Sequence, residues 1–199
     1  MVDYSERKRD LLAAIARTDR GLDIRPEQLP AVWTAVTRLE AVNPTPQPVT
    51  LPVKLAGLWQ LAFTTSLDVL GLGRLPGLRL GEVYQYLSPE LTHLVNLAEL
   101  EPPLSFLAGV VAVTARLQPV SAVRVGVAFE RATTGPKNLL GYTDPATFAE
   151  ALAAGTGPLG LPLPHRRGAL PWLDTTYLDE DLRLGRGDRG SLFVLTRVR

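Results

Sequence analysis

The sequence contains no cysteine, which excludes disulfides, thiolate metal sites and a thiol nucleophile. Histidine is almost as scarce: His93 and His165 lie far apart, in neither HExxH nor HxH spacing. Zinc needs three or four convergent N, S or O ligands, so no metal site is expected. Charge of one sign is missing as well. Lys plus Arg number 21 against 20 Asp plus Glu, a formal charge of +1, which offers no strongly basic face for nucleic acid. The opening MVDYSERKRD is charged throughout, without the apolar core of a secretory leader, and no run approaches the roughly 18 apolar residues of a membrane-crossing helix. The expectation is a soluble or peripheral protein of a reducing compartment, with no signal or transit segment.

Catalytic and nucleotide motifs are lacking too. None of Ser66, Ser88, Ser105, Ser121 or Ser191 sits in a GxSxG elbow, so acyl transfer on a serine is disfavoured. GLGRLPGLRLG, residues 71–81, contains GxGxxxG. The dinucleotide fingerprint needs a strand before it and a helix after it, whereas a strand follows here. This segment reads as a flexible apolar connection.

What the chain has is grease and punctuation: 46% hydrophobic residues, 21% charged, 17 Gly and 17 Pro in 199 residues. That balance suits a β protein better than a helical bundle. The first 48 residues are the exception. Leu11, Leu12 and Ile15 recur at helical spacing over residues 3–18, with Asp3 and Glu6 in a capping arrangement and Gly21 as a stop. From Pro26, Leu29, Val32, Trp33, Val36 and Leu39 form a second stripe. NPTPQP, residues 43–48, ends it, because prolines remove donors and push preceding residues extended. The division expected is a helical hairpin with its Pro-rich linker over 1–48 and a β-barrel over 49–199.

Beyond residue 54 the period changes. WQLAFTTS, EVYQYL, LTHLVNLAEL, GVVAVTARL, VRVGVAFER, TTYLDEDLRL and SLFVLTRV are short runs rich in β-branched and aromatic residues, separated by Gly, Pro or Ser. Seven or more such strands predict a barrel or sandwich. One short helix interrupts them, DPATFAEALAAG, with Asp144 as N-cap, Pro145 at N1 and Gly155 as stop. GTGPLGLPLPHRRGALP is too rich in Gly and Pro to be regular.

The segment YLDEDLRLGRGDRGSLFVLTR, residues 177–197, concentrates acids and arginines. If TTYLDEDLRL is one strand, Tyr177, Asp179, Asp181 and Arg183 share a face opposite Leu178, Glu180, Leu182 and Leu184. Carboxylates at i and i+2 then stand about 7 Å apart, close enough for an acid–base pair. Arg183 and Arg186 would hold them ionised, which opposes general-acid work. A salt-bridged wall, a ligand-contacting patch and a catalytic pair are the three readings, in descending order of support.

Gly57-Leu58-Trp59 opens the first strand as G-x-W, the start at which an indole plugs the closed end of a small barrel. Trp59, Leu61, Phe63 and Thr65 share one strand face by alternation, and Phe193, Leu195 and Arg197 share one on the last strand. If first and last strands close the barrel, Arg197 falls beside Trp59, and the two stack.

LAGLWQLAFTTS, GEVYQYL, VRVGVAF and above all TTYLDEDLRLGRGDRGSLFVLTR resemble the plastid lipid-associated protein family, also called PAP/fibrillin. RKRDLLAAIARTDRGLDIRPEQLPAVWTAVTRLEAVNPTPQP resembles its helical lead, so the likeness spans nearly the whole chain. Tyr177, Asp179, Asp181, Arg183, Arg186, Gly187, Asp188, Gly190 and Phe193 match the family signature, with Arg189 at a position open to variation. The resemblance implies a lipocalin-like antiparallel barrel behind N-terminal helices, without catalytic residues or cofactor. It implies association with photosynthetic membranes or lipid globules, an isoprenoid or other lipid ligand, and protein partners in quinone and carotenoid metabolism. The absence of a transit segment points to a cyanobacterial-type member, cytoplasmic and peripheral to thylakoids or globules.

The reading that follows is a lipid- or isoprenoid-binding protein, with a membrane-surface scaffold that recruits enzymes as the alternative. The ligand-contacting candidates are Trp59, Phe63, Tyr177, Arg183, Phe193 and Arg197. The acids and arginines of 177–197 rivet the closing hairpin, Gly185, Gly187 and Gly190 allow its turn, and Tyr177 and Arg183 additionally face a head group. Two apolar connections complete the picture. Residues 67–81, with Leu67, Leu70, Leu72, Leu75 and Leu78, stand where such barrels carry a lid. Residues 157–167 offer Leu159, Leu161 and Leu163 to a bilayer beside Arg166 and Arg167.

Overall fold

The computed structural model describes residues 4–73, 77–103, 108–164 and 168–199. The two apolar stripes form α1 (Tyr4–Ile15) and α2 (Leu29–Glu40), with Leu11 and Ile15 buried against Val32, Val36 and Leu39. Pro26 opens a 3-10 turn, Pro26–Gln28, that leads into α2. Between the helices Gly21 takes φ +105°, and a Cβ there would stand 2.2 Å from the Thr64 carbonyl oxygen. Only glycine lets this connection press on the barrel, where the Thr64 N–H donates to the Arg20 carbonyl at 2.9 Å.

A short helix, α3 (Pro52–Leu55), precedes the strands β1 (Gly57–Thr64), β2 (Arg79–Leu87), β3 (His93–Glu101), β4 (Gly109–Pro119) and β5 (Arg124–Pro136). Helix α4 (Leu67–Leu72) lies between β1 and β2, and α5 (Pro145–Ala153) follows β5. The chain ends in β6 (Leu161–Pro162), β7 (Trp172–Leu178), β8 (Leu182–Gly187) and β9 (Leu192–Arg197). Eight strands form a ring in the order β1-β2-β3-β4-β5-β7-β8-β9, and β9 returns to β1; the two-residue β6 pairs with β5 outside it. Among the described residues every pairing between these strands is antiparallel, so the ring is an up-and-down barrel, the lipocalin-like architecture expected. A closed ring leaves no long unpaired edge.

Alternation sorts side chains into three apolar layers. Inward-pointing Leu61, Val83, Leu94, Ala98, Val127 and Leu195 form the core of the barrel. Outward-pointing Leu182, Leu184, Leu192 and Val194 pack against α1 and α2. Outward-pointing Val95, Leu97, Val110 and Ala112 are covered by Phe148, Ala149 and Leu152 of α5. Asp144 caps α5 by accepting from the Thr147 N–H at 2.9 Å, as its sequence position predicts.

The C-terminal segment departs from the single strand read into TTYLDEDLRL. It is a hairpin: β7 stops at Leu178, β8 starts at Leu182, and the Asp179 N–H donates to the Leu182 carbonyl at 3.0 Å. Neither Glu180 nor Asp181 takes a positive φ. The turn is held instead by Asp179, whose carboxylate accepts from the N–H groups of Asp181 (2.8 Å) and Leu182 (2.6 Å). Consequently the supposed common face breaks up: Tyr177, Asp179 and Asp181 gather near Lys8 on the outer side, whereas Arg183 turns into the barrel. The glycines are corrected likewise. Gly185 and Gly187 lie within β8, facing Leu173 and Phe193 at close range, and of the three only Gly190 takes a positive φ, +74°.

Candidate functional site

Trp59 is fully buried at the start of β1, and its Nε1 donates to the Leu55 carbonyl at 2.9 Å. Its neighbour across β9 is Arg197, as the closure argument requires: the two are register partners, and the guanidinium lies 4.1 Å from the ring centroid. Arg197 also donates to the carbonyls of Glu180, Ala56 and Lys54, tying the end of α3 and the β7–β8 turn across the closed end.

A second guanidinium approaches the same indole. Arg183 is 1% exposed, with its guanidinium carbon 5.1 Å from the Trp59 ring. Its Nη2 donates to Gln85 Oε1, and Gln85 Nε2 donates to Asn96 Oδ1 at 2.8 Å. Its Nη1 has no partner, and no carboxylate among the described residues pairs with it. Burial, and then the nearby charge of Arg197, pushes Arg183 down to about 9, which leaves it charged at neutral pH.

Beyond Gln85 and Asn96 the barrel is hollow. A cavity of about 520 Å³ is lined by apolar side chains including Leu61, Val83, Val113, Val127, Phe129 and Phe193. Its rim is formed by Asp68 and Val69 of α4, Asp188 and Arg189 of the β8–β9 turn, and Leu163, Pro164 and Pro171. Arg189 and Asp68 form an exposed ion pair at 3.1 Å across that rim. From the connection after β1, Asp68 and Val69 border the cavity, and they do so from α4 rather than from an irregular loop. Leu75, Ser105, His165, Arg166 and Arg167 lie outside the described residues, as do the side chains of Leu70 and Leu72.

Of the six ligand-contacting candidates, Trp59, Arg183, Phe193 and Arg197 point into the barrel, and Phe193 lines the cavity. Phe63 and Tyr177 do not. A register shift between Leu61 and Phe63 turns Phe63 to the outer face, and another between Thr175 and Tyr177 does the same to Tyr177. Both pack under α1 and α2. Strict alternation through Trp59, Leu61, Phe63 and Thr65 fails because a bulge adds a residue without changing composition.

The acids and arginines of the C-terminal segment chiefly fasten the helices to this outer face. Lys8 of α1 reaches Asp179 at 2.9 Å, and the Tyr177 hydroxyl donates to the same carboxylate at 2.8 Å. Arg186 makes two bonds to Glu40 of α2, at 2.9 and 2.7 Å, beneath Trp33. Asp181 is half exposed and faces Arg199 at 2.6 Å, so the two aspartates are not a pair turned toward the cavity. Gln85 and Asn96 were missed by sequence reasoning. The clue was present: each is a polar residue at an inward position of an otherwise apolar alternation, Val83-Gln85-Leu87 and Leu94-Asn96-Ala98.

Closed up-and-down topology, a Trp–Arg plug and an apolar cavity at the other end define a lipocalin-like barrel. The PAP_fibrillin family model matches residues 5–196, and the chain belongs to the PAP/fibrillin family. Among curated relatives, Plastoglobulin-1, chloroplastic, of Pisum sativum is 34% identical, over 96% of this chain and 60% of its own length. Probable plastid-lipid-associated protein 3, chloroplastic, of Oryza sativa subsp. japonica is 32% identical, over 96% and 58%. The Chromoplast-specific carotenoid-associated protein, chromoplastic, of Cucumis sativus is 29% identical, over 96% and 67%. The chain thus spans 60% and 58% of the first two relatives' lengths. These names describe lipid- and carotenoid-associated proteins rather than enzymes. No solved structure matches the chain. Among the described residues no helix is long and apolar enough to cross a membrane.

Proposed function

We propose that this chain is a lipid-binding barrel, without catalytic activity, that holds an isoprenoid or acyl molecule inside the ring while resting on photosynthetic membranes or lipid globules. The observation that carries the reading is the cavity: about 520 Å³, apolar and rimmed at one end. Ligand pockets run from about 300 to 1,000 Å³, and small barrels have room for one apolar ligand. Relatives named for plastid lipid, plastoglobules and carotenoid support the same chemistry.

A second reading, a membrane-surface scaffold that recruits enzymes of quinone or carotenoid metabolism, draws on the exposed Leu67, Leu159 and Leu161, at 74%, 87% and 75%. Delipidated full chain titrated with a fluorescent polyene lipid separates the two. Uptake of one molecule per barrel, with energy transfer from tryptophan, is expected for a carrier. Protein that still sediments with liposomes but takes up nothing would leave the scaffold reading in its place.

A further inference from the structure

Arginine has five N–H donors and no acceptor. That fixes the polarity of everything bonded to Arg183 inside the barrel. Because Arg183 donates to Gln85 through Nη2, Gln85 must turn its Oε1 toward the guanidinium and its Nε2 away from it. Gln85 Nε2 then donates to Asn96, which must turn Oδ1 toward Gln85 and leave Nδ2 pointing onward. Both amides line the cavity. The relay therefore leaves amide N–H groups of Gln85 and Asn96 at the wall of the cavity, with a buried, unpaired cation behind them.

A buried charge without a counterion is strongly unfavourable, and so is a buried donor without an acceptor. Here both occur together: Arg183 is 1% exposed, with Nη1 unpartnered. The Trp59 face and one neutral amide offset only part of this. An anion at the end of the relay would satisfy the Asn96 and Gln85 donors and bring a negative charge into the low-dielectric interior facing the cation.

Resting on the lipid-binding reading, we propose that the Arg183–Gln85–Asn96 relay selects a long-chain amphiphile with an ionised carboxylate head. The carboxylate accepts from the Asn96 and Gln85 amide groups, and the chain runs between Val83, Val113, Val127 and Phe193 toward the rim. Arg183 is a positioning residue: it orients Gln85 and supplies the charge without touching the ligand. A neutral isoprenoid fits the same walls but leaves the cation uncompensated.

The test compares cis-parinaric acid with its methyl ester on delipidated full-length protein, following fluorescence enhancement and stoichiometry. The acid should bind about tenfold or more tightly than the ester, as one charge-assisted hydrogen bond allows. Arg183→Met removes the charge and should bring the acid-to-ester ratio to about one. Should that variant fail to fold, Asn96→Asp serves: it places a carboxylate at the relay's end and should weaken the acid about tenfold or more beyond any loss of the ester, abolishing the acid preference. Equal binding of acid and ester by the wild type overturns the head-group proposal but keeps the barrel as a lipid carrier. Acid preference that survives these substitutions also overturns it. Uptake of neither probe removes the lipid-binding reading and this proposal together.

Discussion

Trp59 concentrates the energetics of the closed end. It is wholly buried, bonded through Nε1, and contacted by two guanidiniums, so Trp59→Ala should lower unfolding free energy by about 3–5 kcal/mol. Arg197→Ala loses both the indole contact and the carbonyls of Glu180, Ala56 and Lys54. In a denaturant double-mutant cycle the pair should couple by about 0.5–2 kcal/mol. Strict additivity would show that the contact contributes nothing. This pair was legible in sequence because Gly-x-Trp marks a strand start and closure brings the last strand to it. Arg183 was legible only as a candidate. That it points inward while Tyr177 points outward depends on the turn at 179–182 and the shift at 175–177, neither of which a two-residue period reveals.

The β7–β8 hairpin shows how one carboxylate organises an element. Asp179 is 11% exposed at its side chain. Burial pushes its carboxyl up, but hydrogen bonds from Lys8, the Asp181 N–H, Tyr177 and the Leu182 N–H together outweigh that and hold it below the ordinary carboxylate range. A depressed folded value contributes stability that is present above the unfolded value of about 3.9 and is lost as pH falls through the folded one. Thermal melts carried from pH 7 to below the unfolded value should therefore show an acid limb that Asp179→Asn flattens. At pH 7 the same variant should lose about 1.5–3 kcal/mol, with lipid content per folded molecule unchanged, since Asp179 faces α1 rather than the cavity. An unchanged acid limb would deny Asp179 this role. The hairpin escaped sequence reading because DEDL has no Asn-Gly or Asp-Gly turn. A side-chain carboxylate in its place looks like one more surface charge.

At the scale of the molecule, barrel and helices were readable because the short β-rich runs, two helical stripes and one capped helix largely follow their own periods, the bulge in WQLAFTTS and the turn inside TTYLDEDLRL being the departures. The cavity was not, since its walls are the same apolar residues that would fill a solid core. On the lipid-binding reading proposed above, its surroundings offer the barrel a way to meet a lipid surface. Gly160 is pressed so closely on β5 that a Cβ would stand 2.8 Å from the Ala132 carbonyl oxygen. Leu163 N–H and Arg131 Nη1 fasten the same strap at 2.8 and 3.0 Å. With Gly160 facing in, Leu159 and Leu161 must face out, 87% and 75% exposed, next to Leu163 and Pro164 on the cavity rim. A monomer in water gains nothing from leucines fixed in this way, whereas a bilayer surface would bury them at about 1.5–3 kcal/mol each. Leu159→Ser with Leu161→Ser should therefore reduce sedimentation with anionic liposomes by about tenfold or more. Melting temperature should stay nearly constant, because neither side chain is buried in the barrel. Added salt should weaken wild-type binding only in part, since screening acts on charges and leaves the apolar share intact. Liposome binding that is undiminished in this double variant would exclude the strap and turn attention to the exposed Leu51 and Val53, which flank Pro52 at the start of α3.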